Sequence, residues 1–353
     1  MRFPGRHRRA AGVAAAVIAA ALTGACSSST DTDTAETTTA GAADASAFPV
    51  TIASTLGSAT MTEVPQRVVT LGWGSESAAL ALGVVPVGMQ DMTSDTGSDD
   101  GVLPWARARL EELDPDAEPV LFPASSKEIP FEQIAALEPD VILAVHSGLS
   151  QEQFDTLSAI APTVAYPERR WATSWEDQIT TVGQALGRTA QAGELVTETR
   201  ELLADTAAEH PEFAGRTVAF GSATETGSYN FYFDTDPRLK MLSALGFTID
   251  PLAVGLRESS DQTKFAAPVS MELLPGYDPD VLLAWYLTPQ LQEEVQESSL
   301  FAGLRAVRDG SYVALTEPPV VFASSSPDVL SMPWLLDTLV PMLSDAANSA
   351  AGD

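Results

Sequence analysis

Cysteine, histidine and basic residues are all scarce in this chain: one Cys, three His, and 19 Lys and Arg against 48 Asp and Glu. A single cysteine rules out an internal disulfide. Of the histidines, His7 falls in the first 25 residues, leaving His146 and His210. A site for a free zinc or manganese ion usually assembles several histidines and carboxylates, so such a site is hard to build here. The formal charge of −29 makes nucleic acid and anionic lipid surfaces poor partners, because both are recognised with basic patches. Beyond residue 25 no apolar stretch approaches the roughly 20 residues that span a membrane. The sequence also lacks a Gly-x-Ser-x-Gly elbow, a phosphate loop and a His-Glu-x-x-His pair, and "GWGSES" lacks dinucleotide-binding spacing. An exported α/β hydrolytic enzyme remains a remote alternative, since carboxylates are plentiful but only two histidines could serve as base.

What the chain does have begins at its start. Arg2, Arg6, Arg8 and Arg9 precede a short apolar run from Ala10 to Leu22 and then small residues before Cys26. That is the layout of a secretory signal, assigned to residues 1–25. "LTGAC" resembles a bacterial lipobox, in which the cysteine thiol receives a diacylglycerol and becomes the new N-terminus. Taking away the leader's four arginines lowers the net charge from −29 to −33. The small, polar, acidic residues after Cys26 show no apolar periodicity, and residues 26–62 are expected to be a flexible linker on a lipid anchor.

The remainder repeats itself. "IPFEQIAALEPDVILAV" begins at Ile129 and "VSMELLPGYDPDVLLAW" at Val269, with Glu132 eight residues before Asp140 and Glu272 eight before Asp280. In each copy the apolar spacing predicts a short amphipathic helix opened by the glutamate, a proline stop, and an aliphatic strand of a sheet covered on both faces. Three further pairs keep the same order: Arg67 and Arg216 open "RVVTLGW" and "RTVAFGS", "ALG" occurs at Ala81 and Ala244, and "TVAYP" at Thr163 has an echo in "YVALT" at Tyr312. Two like lobes follow, each an α/β sandwich with a largely parallel sheet, at 63–170 and 212–353. Residues 171–211 connect them. There Thr173 and Glu176 suggest a capping box, Trp175, Ile179, Val182 and Leu186 mark an apolar face, and from Thr189 to about His210 the pattern predicts one long helix of about 30 Å that braces the lobes.

"RVVTLGWGSESAALALGVVPVGM", "EQIAALEPDVILAVHSGLSQEQFDTLSAIAPTVAYP", "MLSALGF" and "LRAVRDGSYVAL" together resemble the iron-siderophore substrate-binding proteins of ABC importers, in the group that also holds vitamin B12 and haem binders. The resemblance spans about Val64 to Leu343. It implies two α/β lobes joined by one long rigid helix, with limited closure on a ligand. It further implies that Glu132 and Glu272 dock onto arginines of a permease dimer, which works with its ATPase. Two carboxylates at quasi-symmetric places suit a dimeric partner, although the helix dipole alone also favours an acid at a helix start. On this reading the protein is a monomer, needs no cofactor, meets the membrane only through the lipid on Cys26, and binds no nucleic acid. It holds no metal directly, the iron coming inside the Fe(III)-siderophore.

A ligand is expected between the lobes, at loops following the carboxyl ends of strands. In the first lobe those loops carry Trp73, Ser147, Tyr166, Arg169, Arg170 and Trp171, with Trp105 in a long insert. In the second they carry Tyr229, Arg257, Trp285 and Tyr286. Aromatic faces and guanidinium forks suit a compact, often anionic chelate. The alternative within the same importer class is haem, with His146 and Tyr286 as axial ligands, or vitamin B12.

Overall fold

The computed structural model describes residues 43–93, 100–123, 128–225, 227–261, 264–286 and 288–351. The expected leader, Cys26 and the first part of the linker lie outside them. The rest of that linker is not a tether. Val50–Ser54 (β1) and Gly57–Met61 (β2) form an antiparallel hairpin, with Ile52, Ala59 and Met61 buried in the first lobe. Its tip is tied down through Thr55, whose N–H donates to Tyr166 O and whose hydroxyl lies within hydrogen-bond distance of the Pro167 and Glu168 carbonyls. Ordered chain therefore reaches back at least to Asp44, whose N–H donates to Gly187 O at 2.7 Å.

Among the described residues the main sheet of the first lobe has five strands: Val68–Thr70 (β3), Gly88–Gln90 (β4), Val120–Phe122 (β5), Val141–Leu143 (β6) and Thr163–Val164 (β7). Among the described residues, the helices between them include Ser75–Ala81 (α1), Pro104–Leu113 (α2), Phe131–Ala136 (α3) and Gln151–Ser158 (α4). Every pairing is parallel and the order is β5-β4-β3-β6-β7. The chain winds outward from β3 and then returns to its other side, so β3 and β6 flank a switch point where loops diverge and leave a crevice. The central strands β3 and β6 are buried on both faces, as their aliphatic runs require, while the edge strand β5 leaves Val120 exposed.

Trp175–Ala185 (α5) and Thr189–Glu209 (α6) form the connection. The N-cap of α5 is Ser174, which accepts from Asp177 N–H at 3.1 Å. Thr173 is not a cap, because its hydroxyl is taken by Val145 O at 2.7 Å. With 21 residues α6 is about 32 Å long. Ala192 near its start packs in the first lobe's core and Leu203 near its end in the second's, so the helix does span both.

The second lobe contains strands Thr217–Glu225 (β8), Ser228–Tyr232 (β9), Thr248–Ile249 (β10), Ala266–Ser270 (β11), Val281–Tyr286 (β12) and Tyr312–Leu315 (β13). Its helices are Pro237–Ala244 (α7), Pro251–Ser259 (α8), Pro289–Glu297 (α9), Ser299–Ala302 (α10), Arg305–Arg308 (α11), Pro318–Ser325 (α12) and Ser331–Ser349 (α13). The sheet runs β11-β9-β8-β12-β13, with β10 also on β8. It is mixed: β8, β10, β12 and β13 pair in parallel, but β9 is antiparallel to β8 and β11. Gly227, at φ +87°, stands between β8 and β9, and two strands joined so closely must be antiparallel.

The repeated stretch also diverges locally. In the first copy α3 forms as expected. In the second, a 3-10 turn over Leu274–Gly276 stands in place of a helix. Pro275 and Gly276 occupy the places of Ala135 and Ala136, and they remove a backbone donor and lower helix propensity.

One buried cluster spans the lobes: Met89, Met92, Trp105 and Leu110 of the first pack with Leu335, Leu339 and Leu343 of α13. In exchange Val329 of the second lobe sits among Val68, Val141, Val145 and Ile179 of the first. Independent motion of neighbouring units is the ordinary expectation unless their interface is large and apolar, which this one is.

Candidate functional site

The crevice opens at the carboxyl ends of the strands. From the first lobe, Trp73 is presented by a Gly72-Trp73-Gly74 loop after β3. Both glycines have φ near +75°, and a Cβ on Gly72 would come within 2.4 Å of His146 O. The Trp73 backbone is fixed from both sides, its N–H donating to His146 O at 3.0 Å and its carbonyl accepting from Gln178 Nε2 at 2.6 Å. Its ring lies 4.9 Å from the Trp171 ring and 5.0 Å from Phe322 of α12, so one tryptophan bridges the two lobes.

On the second lobe, the half-buried Trp285 donates from Nε1 to Tyr232 OH at 2.9 Å. Over the Tyr232 ring, at 4.0 Å from its centroid, sits the Arg238 guanidinium. Asp236 caps α7 and receives Arg238 at 3.1 Å on both oxygens. Burial raises the Asp236 carboxyl, and the Arg238 charge opposes that. Arg238 is 8% exposed, and its Nε has no hydrogen-bond partner. A buried cation with an unused donor is costly in isolation, and it faces a cleft of about 540 Å³ lined by Trp73, Trp285, Tyr286, Thr316 and Phe322. Tyr286 OH shares a 2.6 Å hydrogen bond with Tyr312 OH, and burial pushes its phenol up to about 12, so it stays neutral. Besides this cleft, Arg169 of the first lobe meets Thr235, Arg257 and Lys264 of the second around a smaller hollow of about 280 Å³, where Arg257 also holds Asp234 at 2.6 Å.

The structure thus brings Trp73, Trp285 and Tyr286 to the larger cleft, Arg169 and Arg257 to the cationic hollow, and Trp171 against the back of Trp73. Arg170 is exposed and donates to Tyr166 OH at 3.3 Å. Four expected residues are in the core instead. Ser147 is buried and donates to Ala144 O at 2.7 Å; Tyr166 is buried and donates to Leu149 O at 3.0 Å. Tyr229 is wholly buried against Gly221 and Phe301, within a core cluster that also holds Phe231 and Val295. Trp105 packs on Trp334 at 5.1 Å and donates to Ser77 Oγ at 3.2 Å.

The haem pair is not assembled. His146 is buried behind Trp73 and Trp171, and its Nδ1–H donates to the Thr173 carbonyl at 3.1 Å. Burial pushes its pKa down to about 4, so the ring is neutral, while the Tyr286 oxygen is engaged with Tyr312.

Arg238, Phe322 and the Thr316–Pro318 stretch were not among the expected residues. The strand-end rule, applied also to Tyr312–Leu315, points to Thr316 and Phe322; the Asp-Pro helix start before Arg238 is a weaker signal, because it says nothing of a cleft.

Comparison with known proteins agrees with this architecture. The chain is 29% identical over 256 residues to the probable siderophore-binding lipoprotein YfiY of Bacillus subtilis, covering 70% of this chain and 74% of that protein. It is 26% identical over 255 residues to the Fe(3+) dicitrate-binding periplasmic protein FecB of Escherichia coli, covering 70% and 74%. The solved structure of Streptococcus pneumoniae PiaA in complex with ferrichrome matches 85% of this chain and 99% of that one, with 29% identity and a TM-score of 0.76. Residues 68–319 match the periplasmic binding protein family, to which this chain belongs.

Proposed function

We propose that this protein is an extracytoplasmic receptor that captures an Fe(III)-siderophore between its lobes and delivers it to an ABC importer permease. The observation that carries the reading is the interlobe cleft. Trp73 on one side and Trp285, Tyr286 and Phe322 on the other provide aromatic faces, and Arg238, which also lines the cleft, provides a largely buried cation. Aromatic walls bury the arms of a chelate, and a desolvated guanidinium meets its oxygen atoms with a charge-assisted hydrogen bond. No protein ligand to the iron is needed, and among the described residues no group of three or more His, Cys, Asp or Glu is placed to hold a metal ion.

Intrinsic tryptophan fluorescence tests this directly, by titration with ferric catecholate, hydroxamate and citrate-type chelates, haem and cobalamin. Saturable submicromolar quenching by a ferric chelate is expected, and weakening by about tenfold or more in Arg238→Ala. Binding of haem or cobalamin alone would sink the proposal.

The exposed Glu132 and Glu272 are proposed to meet arginines on the two halves of the permease, supported by their matched positions and the family. Cys26 is proposed as the lipid attachment point, supported by its lipobox-like setting and by a lipoprotein relative. Cys26→Ser should move the protein from the membrane to the soluble fraction; retention on the membrane would reject the anchor.

A further inference from the structure

Two carboxylic acids are buried where the lobes meet, away from the cleft lining. Glu76 lies in the first turn of α1, in the first lobe, and Asp328 lies in the loop 326–330 between α12 and α13, in the second. They are 4% and 3% exposed. Glu76 Oε1 and Asp328 Oδ2 complete no hydrogen bond, and neither does the adjacent, wholly buried Ser75 hydroxyl. The loop carrying Asp328 is a strap: Val329 just beyond it is inserted into the first lobe's core, and α12 just before it walls the cleft with Val321, Phe322 and Ser325. Asp328 Oδ1 accepts the Leu330 and Ser331 N–H groups at 2.8 Å each and so fixes the start of α13. On the first-lobe side the Ser77 hydroxyl, which receives Trp105 Nε1, lies close enough to Asp328 to ease its ionisation.

The cations around this pair are committed elsewhere. α1 packs on α2 and α5. On α2, Arg107 holds Asp100 at 3.0 Å and Arg109 holds Glu112 at 2.9 Å, with Glu111 exposed. On α5, Glu176 pairs with Arg200 at 3.3 Å, and Asp177 accepts from Ser174 Oγ. On α7, which packs on α12, Arg238 holds Asp236 and Lys240 is exposed; Asp337 of α13 is exposed too, and the buried His146 is neutral. Two buried like charges in each other's field cannot both ionise cheaply. Burial first, and then the Asp328 charge, raise Glu76 to about 8; burial raises Asp328 to about 6.

We propose that the Glu76 and Asp328 carboxyls form a proton-operated latch between the lobes, in which a proton on the pair keeps the strap seated in the first lobe and its loss loosens both the strap and the cleft wall that α12 forms. The sign follows from acids that titrate higher in the folded protein than in the unfolded chain. The latch is complete below the ordinary carboxylate range, weakens as the pH rises through about 6, and is lost as it rises through about 8.

Amide hydrogen exchange on the mature chain, at pH 5.5, 7 and 8.5 and corrected for the intrinsic rate, reads the strap and the cleft wall together. In the wild type, protection across residues 322–331 should fall by about tenfold or more between pH 5.5 and 8.5, one pK unit of differential binding being tenfold. The helix Gln151–Ser158, whose Phe154 and Leu157 pack in a cluster that holds no second-lobe residue, serves as the internal reference. Glu76→Gln, which is neutral at every pH, should hold its protection across that range, and Asp328→Asn should flatten the profile similarly while keeping an oxygen for the Leu330 and Ser331 amides. Flat wild-type protection, or an equal fall in a folded neutral variant, overturns the latch.

Discussion

The stretch Phe131 to Asp140 and the stretch Met271 to Asp280 share a spacing but not a conformation. Glu132 and Glu272 are exposed, Ile134 and Leu274 are buried, and Pro139 and Pro279 are buried, although one glutamate stands on α3 and the other in a turn. What keeps the register is the aspartate. Asp140 accepts from Gln66 N–H at 2.6 Å and Arg67 N–H at 3.0 Å, at the entry to β3. Asp280 accepts from Thr217 N–H at 2.8 Å, at the entry to β8. Each aspartate thus ties the start of its own strand, β6 or β12, to the neighbouring central strand. An arginine braces each turn, but from different places: Arg67 reaches the Leu137 and Glu138 carbonyls, while Arg305 reaches Asp278 and Asp280. The glutamate is therefore positioned by a tertiary clamp, and local helix is dispensable.

Replacing both glutamates tests the functional half of the comparison and has the largest expected effect. Glu132→Ala with Glu272→Ala should abolish uptake and leave chelate affinity unchanged, since truncating one side of a desolvated charge pair costs about 2–5 kcal/mol at each contact. Unimpaired transport in the double variant would mean that the pair does not dock.

The clamp itself is next. Asp280→Ala leaves the Thr217 N–H and the Arg305 guanidinium without their acceptor and should cost about 1–3 kcal/mol, read as a lowered unfolding midpoint in denaturant. Asp140→Ala should cost less, because Asp140 is more exposed and water can replace it. Equal losses would show that exposure does not distinguish the clamps.

Acid sharpens this further. Burial raises Asp280, but the Thr217 N–H and hydroxyl and then Arg305 outweigh it and hold the carboxyl below its usual value of 3.8. Its contribution is therefore fully present above pH 3.8 and is lost as the pH falls through the lower folded value. The stability gap between wild type and Asp280→Asn should be constant from pH 5 to 7 and close in stronger acid. A gap that persists there assigns the loss to packing. The smallest effect is expected from Leu273→Gln, which installs the residue that stands at Gln133 in the other copy. Leu273 is 60% exposed, so stability should move by less than about 0.5 kcal/mol.

Much of this was legible from residues alone. The run from Thr189 without proline marked α6 to within a residue at its end, and the ordered repeats marked two lobes. The hairpin at Val50–Met61 was not legible, because its alternation is carried by Ile52, Ala59 and Met61 among threonines and serines and shows only where the first lobe covers it. The aromatics divided for a similar reason. Trp73 and Tyr229 both follow strand-like runs, yet flanking glycines turn one toward the cleft, while pairing of β9 with β11 turns the other into the core. Register and face are tertiary facts. Arg238 shows the converse, since only the tertiary structure brings its guanidinium, held by Asp236, to the cleft.

The apolar cluster that joins Met89, Met92, Trp105 and Leu110 to α13 has one more consequence. Lobes cemented in this way are expected to move little against each other, which would hold Glu132 and Glu272 at a similar separation whether the cleft is full or empty. On the proposed docking face an unloaded receptor is then a competitor for the same permease, and cargo delivery depends on the ratio of loaded to empty molecules at the membrane as much as on affinity for the chelate.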